Sequence, residues 1–188
     1  MAIAECSKFG QRATEAEFLE LPDDGFLYEL EDGILTGKPA VSLWEANIAV
    51  NAIGLLGSFA RGKGILTCGK GGFRLRDGTI RVPSLSFTRK ERFPGGKAPN
   101  EFGDLAPDLC VEIISPSERP GQTRRKVQEY FDGGTVQVWH VLPERQEVVV
   151  FTSPTDTQTL SAESILDAGG ILPGFSCRVS YLFTDDWM

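Results

Sequence analysis

Phe26-Leu27-Tyr28-Glu29-Leu30 and Ile34-Leu35-Thr36 are two short, mostly apolar runs that flank the polar Glu31-Asp32-Gly33. That pattern predicts a β-hairpin. Just before it, Thr14-Glu15-Ala16-Glu17 has the T-x-x-E spacing of a capping box. A short helix is expected there, carrying Phe18, Leu19 and Leu21 and stopped by Pro22. From Ser42 to about Phe59, Trp44, Ile48, Leu55 and Phe59 recur at helical spacing, so a long core-facing helix is expected with Ser42 as its cap. Two strands follow at 73–76 and 79–82 around Asp77-Gly78, then another at 83–88 whose Ser84 and Ser86 share a face. The run 109–114 reads as a buried strand between Pro107 and Pro116. It precedes an amphipathic helix at 123–132, with Val127, Tyr130 and Phe131 buried and Gly133-Gly134 ending it. A second hairpin is expected across 136–142 and 147–152, and then a tail of strand and loop. Residues 13–183 form the expected single domain, residues 1–12 a loose start, and 89–104 a basic Gly/Pro loop that is either a mobile lid or disordered.

One position breaks the apolar run at 109–114. Glu112 is a carboxylate inside a buried strand, and such a group must be protonated, paired or bound to a cation. Lys126 falls at the edge of the following helix's buried face, one turn before Tyr130. That pair suits a metal-dependent phosphodiesterase site, and equally an ordinary buried ion pair. Glu29, on the face of its strand opposite Tyr28 and Leu30, is placed to join a shared polar cleft. The stretch Gly64 to Gly71 mimics a phosphate-binding P-loop in its G-x-x-x-x-G-K spacing. However, Gly71 stands where a Mg²⁺-binding Ser or Thr is needed, and the stretch follows a helix, so that reading is rejected.

Composition narrows the classes further. The chain has 188 residues, 41% of them apolar, enough for a real core. No uninterrupted apolar run reaches bilayer length and no leader pattern opens the chain, so a cytoplasmic protein without a membrane span is expected. Cys6, Cys68, Cys110 and Cys177 are scattered without metal-ligand spacing, which points to thiols in a reducing compartment. The single histidine, His140, lies in a strand-like run and is expected to be structural. Net charge is −7, yet residues 61–97 carry +8, leaving −15 elsewhere. A basic middle in an acidic shell can steer a polyanion to one face, or can be a set of hairpins with solvated cations. Arg74, Arg76 and Arg81, with Arg124 and Arg125 beside Lys126, are the candidate nucleic-acid contacts.

Several motifs line up in order: the T-x-E-x-F-L-x-L-P helix, Tyr28-Glu29-Leu30-x-x-Gly33, an R-x-P-x-x-x-F strand from Arg81, and Ala106-Pro107-Asp108-Leu109-Cys110-Val111-Glu112-Ile113-Ile114-Ser115-Pro116-Ser117. After these come Lys126-x-x-x-Tyr130, Val138-Trp139-x-Val141 and Leu172-Pro173-Gly174-Phe175. Together they resemble the Uma2 family, also called DUF820, of the PD-(D/E)XK restriction-endonuclease-like superfamily, over residues 13–183. The resemblance implies an α/β fold, a mixed β-sheet flanked by helices with additional hairpins. It also implies a DNA endonuclease using Mg²⁺ or Mn²⁺, acting on phosphodiesters and forming a homodimer. Glu112 matches the family glutamate, Lys126 its lysine, and Glu29 an early acidic residue counted with the site. Catalysis is thus expected at Glu112, Lys126 and Glu29, with metal held by Glu112 and Glu29.

The chain departs from the family pattern at one decisive place. Where the family reads R-x-P-D-x-x-F, this chain has Arg81-Val82-Pro83-Ser84-Leu85-Ser86-Phe87, so the metal-binding aspartate is Ser84. A neutral hydroxyl is a poor partner for a hard divalent ion. Asp108 shares a strand face with Glu112, but four residues along a strand is about 13 Å, too far for one ion. The family histidine before the long helix aligns with Glu45 (or Trp44), and an acidic position before the tryptophan aligns with Gln137. The expectation is an endonuclease with a depleted metal site and weak or absent activity; the alternative is a non-catalytic relative that binds nucleic acid or protein.

Overall fold

The computed structural model describes residues 8–38, 41–76, 78–116 and 118–185. The chain runs α1 (Glu15–Leu19), β1 (Leu27–Glu31), β2 (Ile34–Lys38), α2 (Leu43–Ala60), β3 (Gly64–Cys68), β4 (Phe73–Arg76), β5 (Thr79–Arg81), β6 (Leu85–Arg89) and β7 (Leu109–Ile113). It continues with α3 (Pro120–Asp132), β8 (Gln137–Leu142), β9 (Glu147–Phe151), β10 (Thr157–Leu160), β11 (Ile165–Asp167) and β12 (Ser176–Arg178). The main sheet has the order β10-β9-β8-β7-β6-β3, and a second has the order β2-β1-β5-β4. Within the main sheet β7 and β8 are parallel, joined by the α3 crossover, and every other neighbour is antiparallel. A parallel pair needs such a crossover because its strands begin at the same end.

The local signals explain these elements. Thr14 and Ser42 each make a reciprocal capping box with the glutamate three residues on. At the β1–β2 turn Asp32 and Gly33 have φ of 48° and 73°, the left-handed pair that a two-residue hairpin with right-handed twist requires. The P-loop mimic is an edge strand. Gly64 begins β3 opposite Arg89, where a Cβ would sit 2.3 Å from the Thr88 carbonyl oxygen, so close strand approach accounts for that glycine.

Alternation divides β7 between two cores. Leu109 and Val111 pack toward α2, together with Ile48, Leu56, Phe87, Trp139 and Val141. Cys110 turns the other way, toward Val127, Tyr130 and Val138 beneath α3. Glu112, two residues after Cys110, therefore opens on the α3 side. Helix α2 is long and apolar enough to cross a membrane by length and composition alone, but its Ile48, Ala52, Leu56 and Ala60 are core residues packed with the sheet. The tail closes this core: Phe175 stacks on Trp139 at 6.0 Å and meets Phe59 edge-on.

Two expectations about loops change. Of the expected loose start, residues 1–7 lie outside the described residues. Residues 10–13 run beside β2, with Gly10 N–H donating to the Leu35 carbonyl and Leu35 N–H to that of Gln11. The basic loop contains two short 3₁₀ turns, Lys90–Arg92 and Pro94–Gly96. Its far end is tied to Phe73 by a β-bridge at Gly103, and Phe102 rests against Phe18. Its apolar residues, Phe93 and Phe102, are what hold it down.

Candidate active site

Strand register builds the site. β6 and β7 pair Leu85 with Val111 and Ser86 with Cys110, so the next position outward sets Ser84 opposite Glu112. There the Ser84 hydroxyl lies 3.1 Å from Glu112 Oε2, and its backbone N–H donates to the same oxygen at 3.2 Å. The parallel neighbour β8 sets His140 beside Glu112 on the other side. From α3, the Tyr130 hydroxyl donates to Glu112 Oε1 at 2.8 Å. Both carboxylate oxygens of Glu112 thus accept from the protein, and the residue is only 3% exposed.

Glu29 arrives from the second sheet. Leu30 pairs with Ile80 across β1 and β5, which places Glu29 and Arg81 side by side. Glu29 Oε1 accepts from the Val82 N–H at 2.9 Å; Oε2 lies 3.3 Å from Arg81 Nη1 and 2.7 Å from Lys126 Nζ. Lys126 comes from α3 one turn before Tyr130, so a single helix face delivers a cation to Glu29 and a hydroxyl to Glu112. Burial alone would push the Lys126 ammonium down. Glu29 and Glu112 outweigh it, and the pKa is raised above the ordinary lysine value. Glu112, Lys126 and Glu29 are therefore brought together.

Arg81 is the residue that sequence reasoning misplaced. It is fully buried, and the expectation that it contacts nucleic acid is corrected. Its Nε donates to Glu129 at 2.7 Å, and Nη2 lies 2.6 Å from Glu129 and 3.0 Å from Glu31, off the hydrogen-bonding direction of either. Three carboxylates close on one guanidinium, enough to hold it charged despite burial. The other proposed contacts are also engaged. Arg74 pairs with Glu15 and Asp104, Arg76 with Asp32 and Glu129, and Arg125 with Glu31, Asp32 and Glu129. Arg124 is exposed, and no ion pair holds it among the described residues.

The remaining candidates fall elsewhere. Asp108 sits at the opposite end of β7, gripped by Arg89 at 2.8 Å and Arg92 at 3.5 Å, and does not join Glu112. Glu45 caps α2, with Oε1 buried and unpartnered among the described residues. Gln137 accepts a hydrogen bond from the Trp139 indole at 3.0 Å. Sequence reasoning gave His140 no part here, although the parallel pairing of its strand with β7 puts it next to Glu112. It is 8% exposed, with the ring edge-on to Phe151. Burial lowers its pKa to about 4, Lys126 acts in the same direction, and Glu112 opposes.

The family model described as “Putative restriction endonuclease”, Uma2, matches residues 15–180. This chain belongs to the Uma2 family. Solved structures that match include one described as a “putative nuclease belonging to DUF820” from Anabaena variabilis ATCC 29413. It is 21% identical, with a TM-score of 0.80, covering 90% of this chain and 97% of that one. At that identity the likeness shows the fold, which for a Uma2 protein is the expected mixed sheet flanked by helices. Among curated proteins there is no match.

Do the residues present fit the divalent ion that nucleases of this kind use? Among the described residues no three His, Cys, Asp or Glu side chains are grouped to hold one. The four oxygens of Glu29 and Glu112 already accept from Val82, Arg81, Lys126, Tyr130 and Ser84. A hard cation needs several oxygen ligands at short range, and the facing strand supplies a neutral hydroxyl. The donor set does not fit.

Proposed function

We propose that this Uma2 protein retains the nucleic-acid binding of a nuclease, while its Mg²⁺- or Mn²⁺-dependent DNA hydrolysis is weak or absent. The observation that carries this reading is the Ser84 hydroxyl on Glu112 Oε2, at the place where the family pattern has an aspartate. An aspartate at 84 would set two carboxylates face to face across β6 and β7, an arrangement that needs a cation or a shared proton between them. Serine instead satisfies Glu112 internally, and the nearest cation is the fixed ammonium of Lys126. Such a cluster leaves no free carboxylate pair to bind an ion, and its one ammonium is already paired with Glu29.

Nicking of supercoiled plasmid in excess Mg²⁺ or Mn²⁺ tests it. The native protein is expected to show trace cleavage at most, and Ser84→Asp to gain metal-dependent nicking. Ser84→Asp should also melt lower than native without metal and recover when Mg²⁺ is added, because an ion bound only by the folded state stabilises it. Robust cleavage by the native chain that Glu112→Ala removes would overturn the reading.

A further inference from the structure

The basic middle of the chain is split by the fold. Arg74 turns toward Glu15 of α1 and Asp104, Arg76 toward Asp32 and Glu129, and Arg81 toward Glu29, Glu31 and Glu129. The other half gathers at the far end of β3 and β6. Arg61 follows α2; Lys63 precedes β3, and its carbonyl accepts from the Lys90 N–H at 3.1 Å. Arg89 ends β6 opposite Gly64, and Lys90, Arg92 and Lys97 lie on or beside the two 3₁₀ turns that follow. Six cations thus share one rim.

Their partners set this rim apart from the rest of the molecule. Asp108, 1% exposed, holds Arg89 and Arg92 from below. Those two arginines stay 42% and 29% exposed at the side chain, at the mouth of an open depression also lined by Glu91, Gly134 and Val136. The Lys63 ammonium donates to the neutral carbonyl of Pro173. Arg61, Lys90 and Lys97 are exposed, and none has a side-chain partner among the described residues. Among the residues lining the depression, the acidic ones are Glu91 and the buried Asp108. A positive surface of this kind on a chain of net charge −7 concentrates field outward and draws in a polyanion.

We propose that this rim is the surface on which the protein takes a nucleic-acid backbone, apart from the Glu112 cluster. It rests on the nucleic-acid part of the reading above, and not on the metal site. Ser84 and Arg89 lie five residues apart along the strand direction, about 17 Å, so one duplex lying along the sheet would span both over about five base pairs. Phosphate contacts fix position and carry no sequence information, which suits a rim of flexible lysines around two arginines pinned by Asp108.

The test is the affinity of a short duplex DNA for the full chain as a function of salt, by fluorescence anisotropy. Arg61→Glu/Lys90→Glu/Lys97→Glu reverses three exposed side chains that make no hydrogen bond or ion pair among the described residues, so its thermal unfolding should match native and any effect belongs to the surface. Expected are a loss of about tenfold or more at low salt and a shallower salt dependence, by about 0.9 in the log–log slope per lost contact. Arg145→Glu, an exposed cation on the turn between β8 and β9, should leave both nearly unchanged. Native binding that survives the triple reversal, or that Arg145→Glu removes instead, overturns the rim while leaving the hydrolysis test standing. A native chain that binds no duplex at low salt overturns both the rim and the nucleic-acid part of the proposed function.

Discussion

Arg81 holds three carboxylates that come from β1 and α3, and it is fully buried. Replacing it with Met should leave Glu29, Glu31 and Glu129 crowded in low dielectric, at a cost of about 3–5 kcal/mol. Urea unfolding at neutral pH measures this; a loss under about 1 kcal/mol would show that the carboxylates find solvent or protons cheaply. His140 gives a second residue-scale expectation. It is neutral in the folded state, with a pKa of about 4, against about 6.5 when unfolded. The unfolded chain therefore binds the extra proton between those values, and stability falls as pH drops from about 6.5 toward 4, by up to about 3 kcal/mol. His140→Gln should flatten that limb of the urea-midpoint profile, and an unchanged limb would assign it to other groups. For Lys126 the sign is opposite. Its pKa is raised, so its contribution is complete below the unfolded lysine value and is lost only as pH climbs through the higher folded one.

At the scale of elements, what could be read in advance was local. The two caps and the Asp32-Gly33 turn are written in neighbouring residues and appear where those residues place them, whereas the buried stripe of α2 is Ile48, Ala52, Leu56 and Ala60, with Trp44, Leu55 and Phe59 only partly buried beside it. Ser42→Ala should cost about 1 kcal/mol in urea unfolding, because it removes one half of a reciprocal cap. A change within a few tenths would mean that packing alone holds the first turn of α2. Register was not legible in the same way. That Ser84 faces Glu112 follows from pairing between strands 28 residues apart, and the role of Arg81 from acids 48 to 52 residues away. A strand pattern tells which side chains share a face, but not which distant carboxylate they meet there. Hence Arg74, Arg76 and Arg81 read as an outward basic patch, when the fold brings them against acids from α1, the β1–β2 hairpin, α3 and the loop at Asp104.

For the whole molecule, charge is sorted by depth and by end. Between the second sheet and α3, buried Glu29, Arg81 and Glu129 alternate with partly exposed Glu31 and exposed Arg125, a set that nearly neutralises itself. The surplus positive charge is left at the far rim of the main sheet. Solution behaviour should follow that division. Salt is expected to weaken duplex binding steeply while moving the unfolding midpoint little, because exposed charges are screened within about 8 Å at physiological ionic strength and buried pairs are not. Parallel titrations of binding and of urea unfolding with NaCl read both at once; a midpoint that falls as steeply as the affinity would contradict the sorting.

The strand–helix–strand crossover β7–α3–β8 has one more consequence. Glu112, Lys126, Tyr130 and His140 all lie within one unbroken stretch of chain, Leu109 to Leu142. A swap of that cassette between relatives would transplant most of the cluster's charge in a single piece, and compatibility with the recipient would come down to three docking partners: Glu29, Arg81 and the residue at 84.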